Sequence, residues 1–340
     1  MARKVTMRGI AERAGVSSAT VSRTFQSPQK VRKEIRDKIL RIAQEHGYVY
    51  NAAAGDLARE FSNIIGVLVP TSNKSVFADT LNAIQEQAQD YGYSVIIGST
   101  QYDHGREQQL IRQMQERRVA GIILTGFALG QETLVTELIQ SGVSCVVIWE
   151  IITDQRVNYV GFDNFKAAYS AVAYLISLRH RRIGLLIGPY DKVGRTRKRF
   201  LGYQQALNDH QIAYDPKLVV YSAEPDLFEG KQGMSHLLEI DDGPTAVFAA
   251  NDRLAIGAYS AIKARALSIP DDISIVGLDD VDFAAYCDPP LTTVRVPAKE
   301  MGRIAVDILT DLNAGKANSV RRYSLETELI IRGSCRELKF

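Results

Sequence analysis

Cysteine is scarce in this chain: Cys145, Cys287 and Cys335 are three in number, far apart, and form no CxxC pair. That excludes a disulfide framework and a zinc site on paired cysteines, and it fits reduced thiols in a cytosolic protein. Long apolar runs are missing too. No stretch approaches about eighteen uninterrupted apolar residues, and the amino terminus MARKVTMRG lacks the apolar region of a signal peptide. A soluble, cytoplasmic protein with no membrane partner is expected. The five histidines make no HExxH arrangement. The acidic run Asp279-Asp280-Val281-Asp282 lacks the spacing and the glycine of a calcium loop. Gly126 and Gly130 do not make a GxGxxG. No metal and no cofactor is expected. Tandem repeats and low-complexity tracts are absent as well.

What is present begins with size and charge. A chain of 340 residues, 46% hydrophobic, can form two or three compact units with a sizeable core. Its charge is uneven: residues 1–62 hold 12 Lys+Arg against 6 Asp+Glu, and the remainder holds 29 against 33. A basic head therefore precedes a mildly acidic body. Within that head, residues 5–25 read VTMRGIAERAGVSSATVSRTF. Thr6 can cap a first helix with Ile10, Ala11 and Ala14 on one face. Gly15 suits a turn that requires positive φ. Ser17 can cap a second helix over about 18–25, with Val16 and Val21 turned inward and Ser18, Ala19, Ser22 and Arg23 outward. A third helix over about 33–46 carries Ile35, Ile39, Ile42 and Ala43 inside and ends at Gly47.

The outward set suits a DNA groove. Small side chains allow close approach to base edges, and Arg23 can donate two hydrogen bonds to one guanine. An ordinary helical hairpin with solvated polar faces fits the helix pattern as well. The basic charge around it is the footprint of a phosphate-binding module and favours the helix–turn–helix.

The run IAERAGVSSATVSRTF, followed by KVRKEIRDKILRIAQEHGYVYNAAAGDLA, resembles the DNA-binding head and hinge of the LacI/GalR transcription regulators. AGVS-x-x-TVSR stands intact at residues 14–23. By that resemblance Ser18 and Ala19 occupy the positions that choose the operator, and Ser17, Thr20 and Ser22 contact phosphate. Thr6, Tyr48, Asn51 and Ala54 join the DNA-facing set. Leu57 matches the residue that the family wedges into the minor groove at the operator centre, although packing against the core is an alternative for it. The sequence departs from the family at Gln26, at Lys30, at Tyr50 where proline is frequent, and at Gly55. A glycine inside the hinge helix costs roughly 1 kcal/mol against alanine.

From residue 64 the pattern changes. Apolar runs at 64–70, 94–100, 120–126, 144–150, 182–188, 218–222, 245–251 and 273–280 alternate with amphipathic segments such as 76–91 and 106–117. Near-continuous Val/Ile/Leu strands between helices indicate parallel sheets covered on both faces, here in two sets. A last strand is expected at YSLETELIIRG. The stretches IGVLVP, VGFDN, RFLGYQQAL, FAANDRLAIGAYSAI, IPDDISIVGLDD and PPLTTVRVP resemble the periplasmic-binding-protein-like core of the same family. The expected fold is thus α/β: a small all-α helix–turn–helix head plus a two-lobed core with parallel sheets. The expected domains are 1–47 for the head, 48–62 for the hinge and 63–340 for the effector-binding and dimerisation core. The resemblance puts lobe crossings near Asp163, Pro290 and Arg322, so lobe 1 holds about 63–162 and 291–322, and lobe 2 holds 163–290 and 323–340.

A ligand belongs at the carboxyl ends of such strands, between the lobes. Asn251 and Asp279 end two strands there, and Arg199, three residues before Gly202, matches the family's effector-gripping arginine. Phe77, Trp149 or Phe228 can supply an apolar face for a sugar, although core packing accounts for aromatics more simply. Lys74, Thr125 and Glu150 complete the candidate effector set. The run KVGRTRKR, with five basic residues in eight, tilts the ligand toward an anion, while Glu150 argues the other way.

These readings converge on a ligand-responsive repressor that binds a palindromic operator as a homodimer, with a sugar, sugar acid or sugar phosphate as effector. An enzyme using the same cleft is the rival, but no nucleophile–base pair or metal motif supports it. A transport receptor would need a signal peptide and no basic head. No leucine heptads follow the last strand, so dimers are expected and not tail-mediated tetramers.

Overall fold

In the computed structural model, residues 5–26, 28–50, 62–71, 75–126, 132–316 and 319–339 are described. The chain divides into two units, Met1–Ser62 and Asn63–Phe340.

Among the described residues of the first unit, three α-helices form: α1 (Met7–Ala14), α2 (Ser18–Gln26) and α3 (Lys33–Glu45). Local chemistry sets their ends. Thr6 is extended and its Oγ1 accepts from the Gly9 amide at 3.2 Å. Gly15 takes the left-handed conformation, φ 70°, and its N–H reaches the Ala11 and Glu12 carbonyls. Ser17 Oγ then accepts from the Thr20 amide at 3.1 Å, capping α2. Ile10, Ala11, Ala14, Val21 and Ile39 make a small core, flanked by half-buried Val16, Phe25, Ile35 and Ile42.

The second unit contains two six-stranded sheets. The first has the order β11-β5-β4-β3-β1-β2 and is wholly parallel, with β1 (Ile64–Val69), β2 (Ser94–Ser99), β3 (Gly121–Thr125), β4 (Cys145–Ile148), β5 (Asn158–Phe162) and β11 (Arg322–Leu325). Helices α4 (Ser75–Asp90), α5 (His104–Glu116) and α6 (Glu132–Gln140) connect its strands. The second has the order β12-β10-β9-β8-β6-β7, with β6 (Ile183–Ile187), β7 (Val219–Tyr221), β8 (Ala246–Ala249), β9 (Ser274–Asp279), β10 (Thr292–Arg295) and β12 (Glu328–Ile330). Its helices are α7 (Asn164–Ser177), α8 (Gly194–Asp209), α9 (Leu227–Leu237) and α10 (Asp252–Ala264). α11 (Ala298–Asn313) packs beside α4 on the first sheet, where Gln87 Nε2 donates to Asp307 Oδ1 at 2.8 Å. Central strands such as β3 and β6 are buried at every residue, as a sheet covered on both faces requires.

Two lobe boundaries shift from the expected places. Pro289 and Pro290 look like a linker, yet Thr292–Arg295 pairs in parallel with β9, so that crossing follows Arg295. The tail segment YSLETELIIRG is two strands, not one. β11 pairs with β5 in the first sheet, and β12 runs antiparallel to β10 in the second, so the chain crosses at residues 326–327 instead of near Arg322. The second sheet is therefore mixed at its edge. The reason is register: a strand's sheet is set by which edge has free N–H and C=O groups, and its own residues do not encode that. At the first crossing Asp163 caps α7, accepting from the Phe165 and Lys166 amides at 3.0 Å.

Candidate functional site

On the head, Ser17, Ser18, Ala19 and Arg23 are exposed, and Thr20 and Ser22 are half-buried. They form one polar face of α2 opposite buried Val21 and Thr24. Ser17 and Thr20 share a hydroxyl–hydroxyl hydrogen bond of 2.9 Å, so part of their capacity is already used. Tyr50, the departure from proline, stacks on Phe25 at 5.1 Å and 8°, and its OH lies 3.4 Å from Ser22 Oγ. Tyr48 packs edge-on against the same ring at 6.0 Å. The aromatic contacts fasten Tyr48 and Tyr50 to α2. Asn51, Ala54 and Leu57 lie outside the described residues.

In the core, the carboxyl ends of the strands open onto a cleft with about 610 Å³ of empty space. Phe77, Arg199, Asn251 and Asp279 line it, together with Trp149, Arg195, Tyr102 and Arg253. Arg199 is buried within α8. Its Nε donates to Asn164 Oδ1 at 2.9 Å and its Nη1 to the Ala250 carbonyl at 2.6 Å, with Asp279 Oδ1 3.9 Å from Nη2. Burial pulls its pKa down from the usual guanidinium value, and the Asp279 charge pulls it back up. Asp279 and Asp280 both have positive φ, 131° and 57°, and Trp149 has 73°. Non-glycine residues held in this region cost free energy and cluster at ligand clamps. Asp252 beneath them accepts from the Val281 amide at 2.9 Å and Thr293 Oγ1 at 2.5 Å, which pins the 279–281 turn. Burial pushes its carboxyl up to about 6.

The cleft walls combine both polarities over an aromatic floor. Trp149 is buried edge-to-face against Phe77 at 5.1 Å and Phe162 at 5.9 Å. Its Nε1 and the Arg253 Nε are buried without hydrogen-bond partners. Unpaired buried donors at a cleft are groups that a ligand can satisfy. Arg195 reaches from α8 across to the Thr125 carbonyl at 3.1 Å, its guanidinium 5.7 Å from the Phe77 ring and 6.0 Å from Tyr102.

Not every candidate arrives there. Glu150 is buried, ion-paired with Lys198 Nζ at 3.0 Å with its carboxylate beside Gly194, and does not line the cleft. Phe228 is 64% exposed at the start of α9, outside the cleft lining. Asn251 lines the cleft, but its amide serves the fold: Oδ1 caps α10 through Leu254 N at 2.8 Å, and Nδ2 donates to the Pro225 carbonyl at 3.3 Å. Thr125 borders an adjoining hollow, and its Oγ1 donates to the Leu68 carbonyl at 2.8 Å. Lys74 lies outside the described residues. Arg195, Arg253, Asn164 and Tyr102 were not singled out. Arg195 had a signal: it stands four residues before Arg199, on the same face of one helix.

Glu107, in the first turn of α5, was missed as well. It is 9% exposed, and burial pushes its carboxyl up to about 7, against an opposing pull from Arg195. A carboxyl raised from 4.5 stabilises the fold fully below about pH 4.5, and this contribution is lost as pH rises through about 7. Glu107→Gln is therefore expected to flatten the core's melting temperature between pH 5 and 7.5. At pH 7.5 it should raise stability by on the order of 2 kcal/mol. Thermal melts of the two proteins over this range check it; parallel curves would show that Glu107 does not titrate there.

A basic helix–turn–helix joined to a two-lobed core with a ligand-sized cleft at its strand ends defines a ligand-controlled DNA-binding regulator. Residues 6–51 match the bacterial regulatory proteins of the lacI family, and residues 172–335 match the periplasmic binding protein-like domain. The chain is 35% identical over 335 residues to the HTH-type transcriptional repressor CytR of Escherichia coli strain K12, covering 98% of this chain and 97% of that protein. Among solved structures it is similar to the lac repressor dimer bound to operator and the anti-inducer ONPF, with TM-score 0.85, 28% identity, and coverage of 98% and 100%. It is also similar to a complex of the transcriptional regulator CelR with cellobiose, with TM-score 0.72, 28% identity, and coverage of 97% and 99%. The chain belongs to the lacI family. It is a DNA-binding transcription regulator and not an enzyme. No described helix is long and apolar enough to cross a membrane.

Proposed function

We propose that this protein is a repressor that binds a two-fold symmetric operator as a homodimer in the cytoplasm, and that a sugar or sugar acid in the cleft controls it. The observation that carries the reading is the cleft itself: Arg199 and Asp279 stand 3.9 Å apart beside the aromatic pair of Phe77 and Trp149. Donor, acceptor and apolar face together are what a sugar ring requires. The similarity to the CelR–cellobiose complex and to the operator-bound lac repressor dimer supports it. In the head, Ser18, Ala19 and Arg23 face base edges, while Thr6, Ser17, Thr20, Ser22 and Tyr48 hold the backbone, with Asn51, Ala54 and Leu57 in the hinge. In the core, Phe77, Arg199 and Asp279 hold the effector, with Thr125 at its margin. Ligand binding shifts the angle between the lobes. That changes the spacing of the two chains where they enter a dimeric core, and hence whether two heads reach successive major grooves.

The test is operator binding by the full-length protein on a palindrome found by selection from randomised duplexes. Each neutralised phosphate adds about −0.9 to the slope of log affinity against log salt, so a slope of about −5 or steeper is expected. A flat salt response would rule out this mode of binding.

A further inference from the structure

Tyr50 stands where proline is frequent in the family, and a proline could supply neither its ring nor its hydroxyl. The ring is half-buried and stacks on Phe25 of α2 at 5.1 Å and 8°. That stack carries the Tyr50 hydroxyl to 3.4 Å from Ser22 Oγ, across 28 positions of the chain. A hydroxyl has one proton and two lone pairs, so the direction of this bond decides what Ser22 can still do. A phenol is more acidic than an alcohol and is the better donor. The bond therefore runs from the Tyr50 O–H to Ser22 Oγ, and the Ser22 proton is left for another acceptor. Neighbouring hydroxyls on α2 are spent differently. Thr24 Oγ1 donates to the Thr20 carbonyl at 2.9 Å, and Ser17 and Thr20 share a hydrogen bond of 2.9 Å. Among the described residues, Ser22 Oγ makes no such bond to the helix backbone.

We propose that Tyr50 is a positioning residue for operator binding: its phenol donates to Ser22 Oγ and so directs the Ser22 proton to a backbone phosphate of the DNA. The proposal rests on the reading of Ser22 as a phosphate contact. A phosphate oxygen only accepts, so it completes the chain that the phenol begins. A donor bonded to an anion is the stronger for it, and successive hydrogen bonds polarise one another. Tyr50 acts through Ser22 and not by touching DNA. Because the Phe25 stack holds the phenol in the free head, the hydroxyl pair is oriented before DNA arrives, and less freedom is lost on binding.

The experiment compares full-length Ser22→Ala, Tyr50→Phe and the double variant with wild type on the selected palindrome. Equilibrium binding gives the affinity, and ethylation interference shows which phosphates the protein needs. Tyr50→Phe keeps the stack and drops only the hydroxyl, so the thermal melt of the protein should not move. Ser22→Ala is expected to weaken the operator complex about thirtyfold and Tyr50→Phe about fivefold. The double variant should match Ser22→Ala within about twofold, because without Ser22 the phenol has nothing to orient. Interference at one phosphate per half-site should fade in both single variants. The preferred sequence should stay the same, since phosphate contacts carry no sequence information. Wild-type binding by Tyr50→Phe beside a weakened Ser22→Ala would overturn the role of Tyr50 and leave the Ser22 contact standing. Additive losses, or fading at a different phosphate in Tyr50→Phe, would overturn it too, since Tyr50 would then reach DNA on its own. If Ser22→Ala itself binds as wild type, the phosphate contact falls and the role of Tyr50 with it.

Discussion

Replacing Arg199 by alanine is expected to abolish the effector response at ligand concentrations that fully switch the wild type, and to lower the melting temperature of the core by about 10 °C. Both effects have the same origin. The guanidinium makes charge-assisted hydrogen bonds of 2.9 and 2.6 Å to Asn164 and Ala250 and lies 3.9 Å from Asp279. Such bonds are worth roughly 1.5–3 kcal/mol each. In a chain of this size about 1 kcal/mol corresponds to 2–4 °C. Operator affinity measured well below the new melting point should stay close to wild type, because no head residue is altered. A variant that still responds to effector at ordinary concentrations would show that the ligand sits elsewhere than at Arg199.

The second large effect is expected at Arg23. Its side chain is exposed near the end of α2, on the face that carries Ser18 and Ala19, and it makes no hydrogen bond or ion pair among the described residues. Nothing in the fold depends on it. Arg23→Ala should therefore leave the stability of the head unchanged within about 0.5 kcal/mol, as surface substitutions do. Discrimination at one guanine per half-site should fall by about 1–3 kcal/mol. A dimer loses this twice, once in each half-site. Selection from randomised duplexes reads the result as a relaxed preference at two symmetric positions. An unchanged preference with unchanged affinity would mean that α2 does not present Arg23 to a base.

The residues of the cleft and those on the polar face of α2 differ in how visible they are in a sequence. The head is coded locally. Thr6, Gly15 and Ser17 each act on groups within four residues, so caps and turn follow from neighbours alone. Phe25 and Tyr50 are the exception, because their stacking joins positions 25 residues apart. In the core, the place of Arg199 before Gly202 and of Asp279 at a strand end pointed to the cleft that both line. Glu107 and Arg195 were not legible in this way. Each looks like one more charge on a polar helix until a second element packs over it.

By itself the sequence determined the class of the chain and the positions of most of its elements. Helical periodicity, caps and Val/Ile/Leu runs act through contacts between near neighbours, and a reader of the chain can follow them. The tertiary structure alone decided which sheet receives β10, β11 and β12, because ladder partners such as Thr293 and Ile330 are far apart in the chain. It also decided that Glu150 is spent on Lys198, that Phe228 faces solvent and that Glu107 is buried. The physical reason is the same in each case. Desolvation and the pairing of buried polar groups depend on what folds over a residue, and strand order sets that.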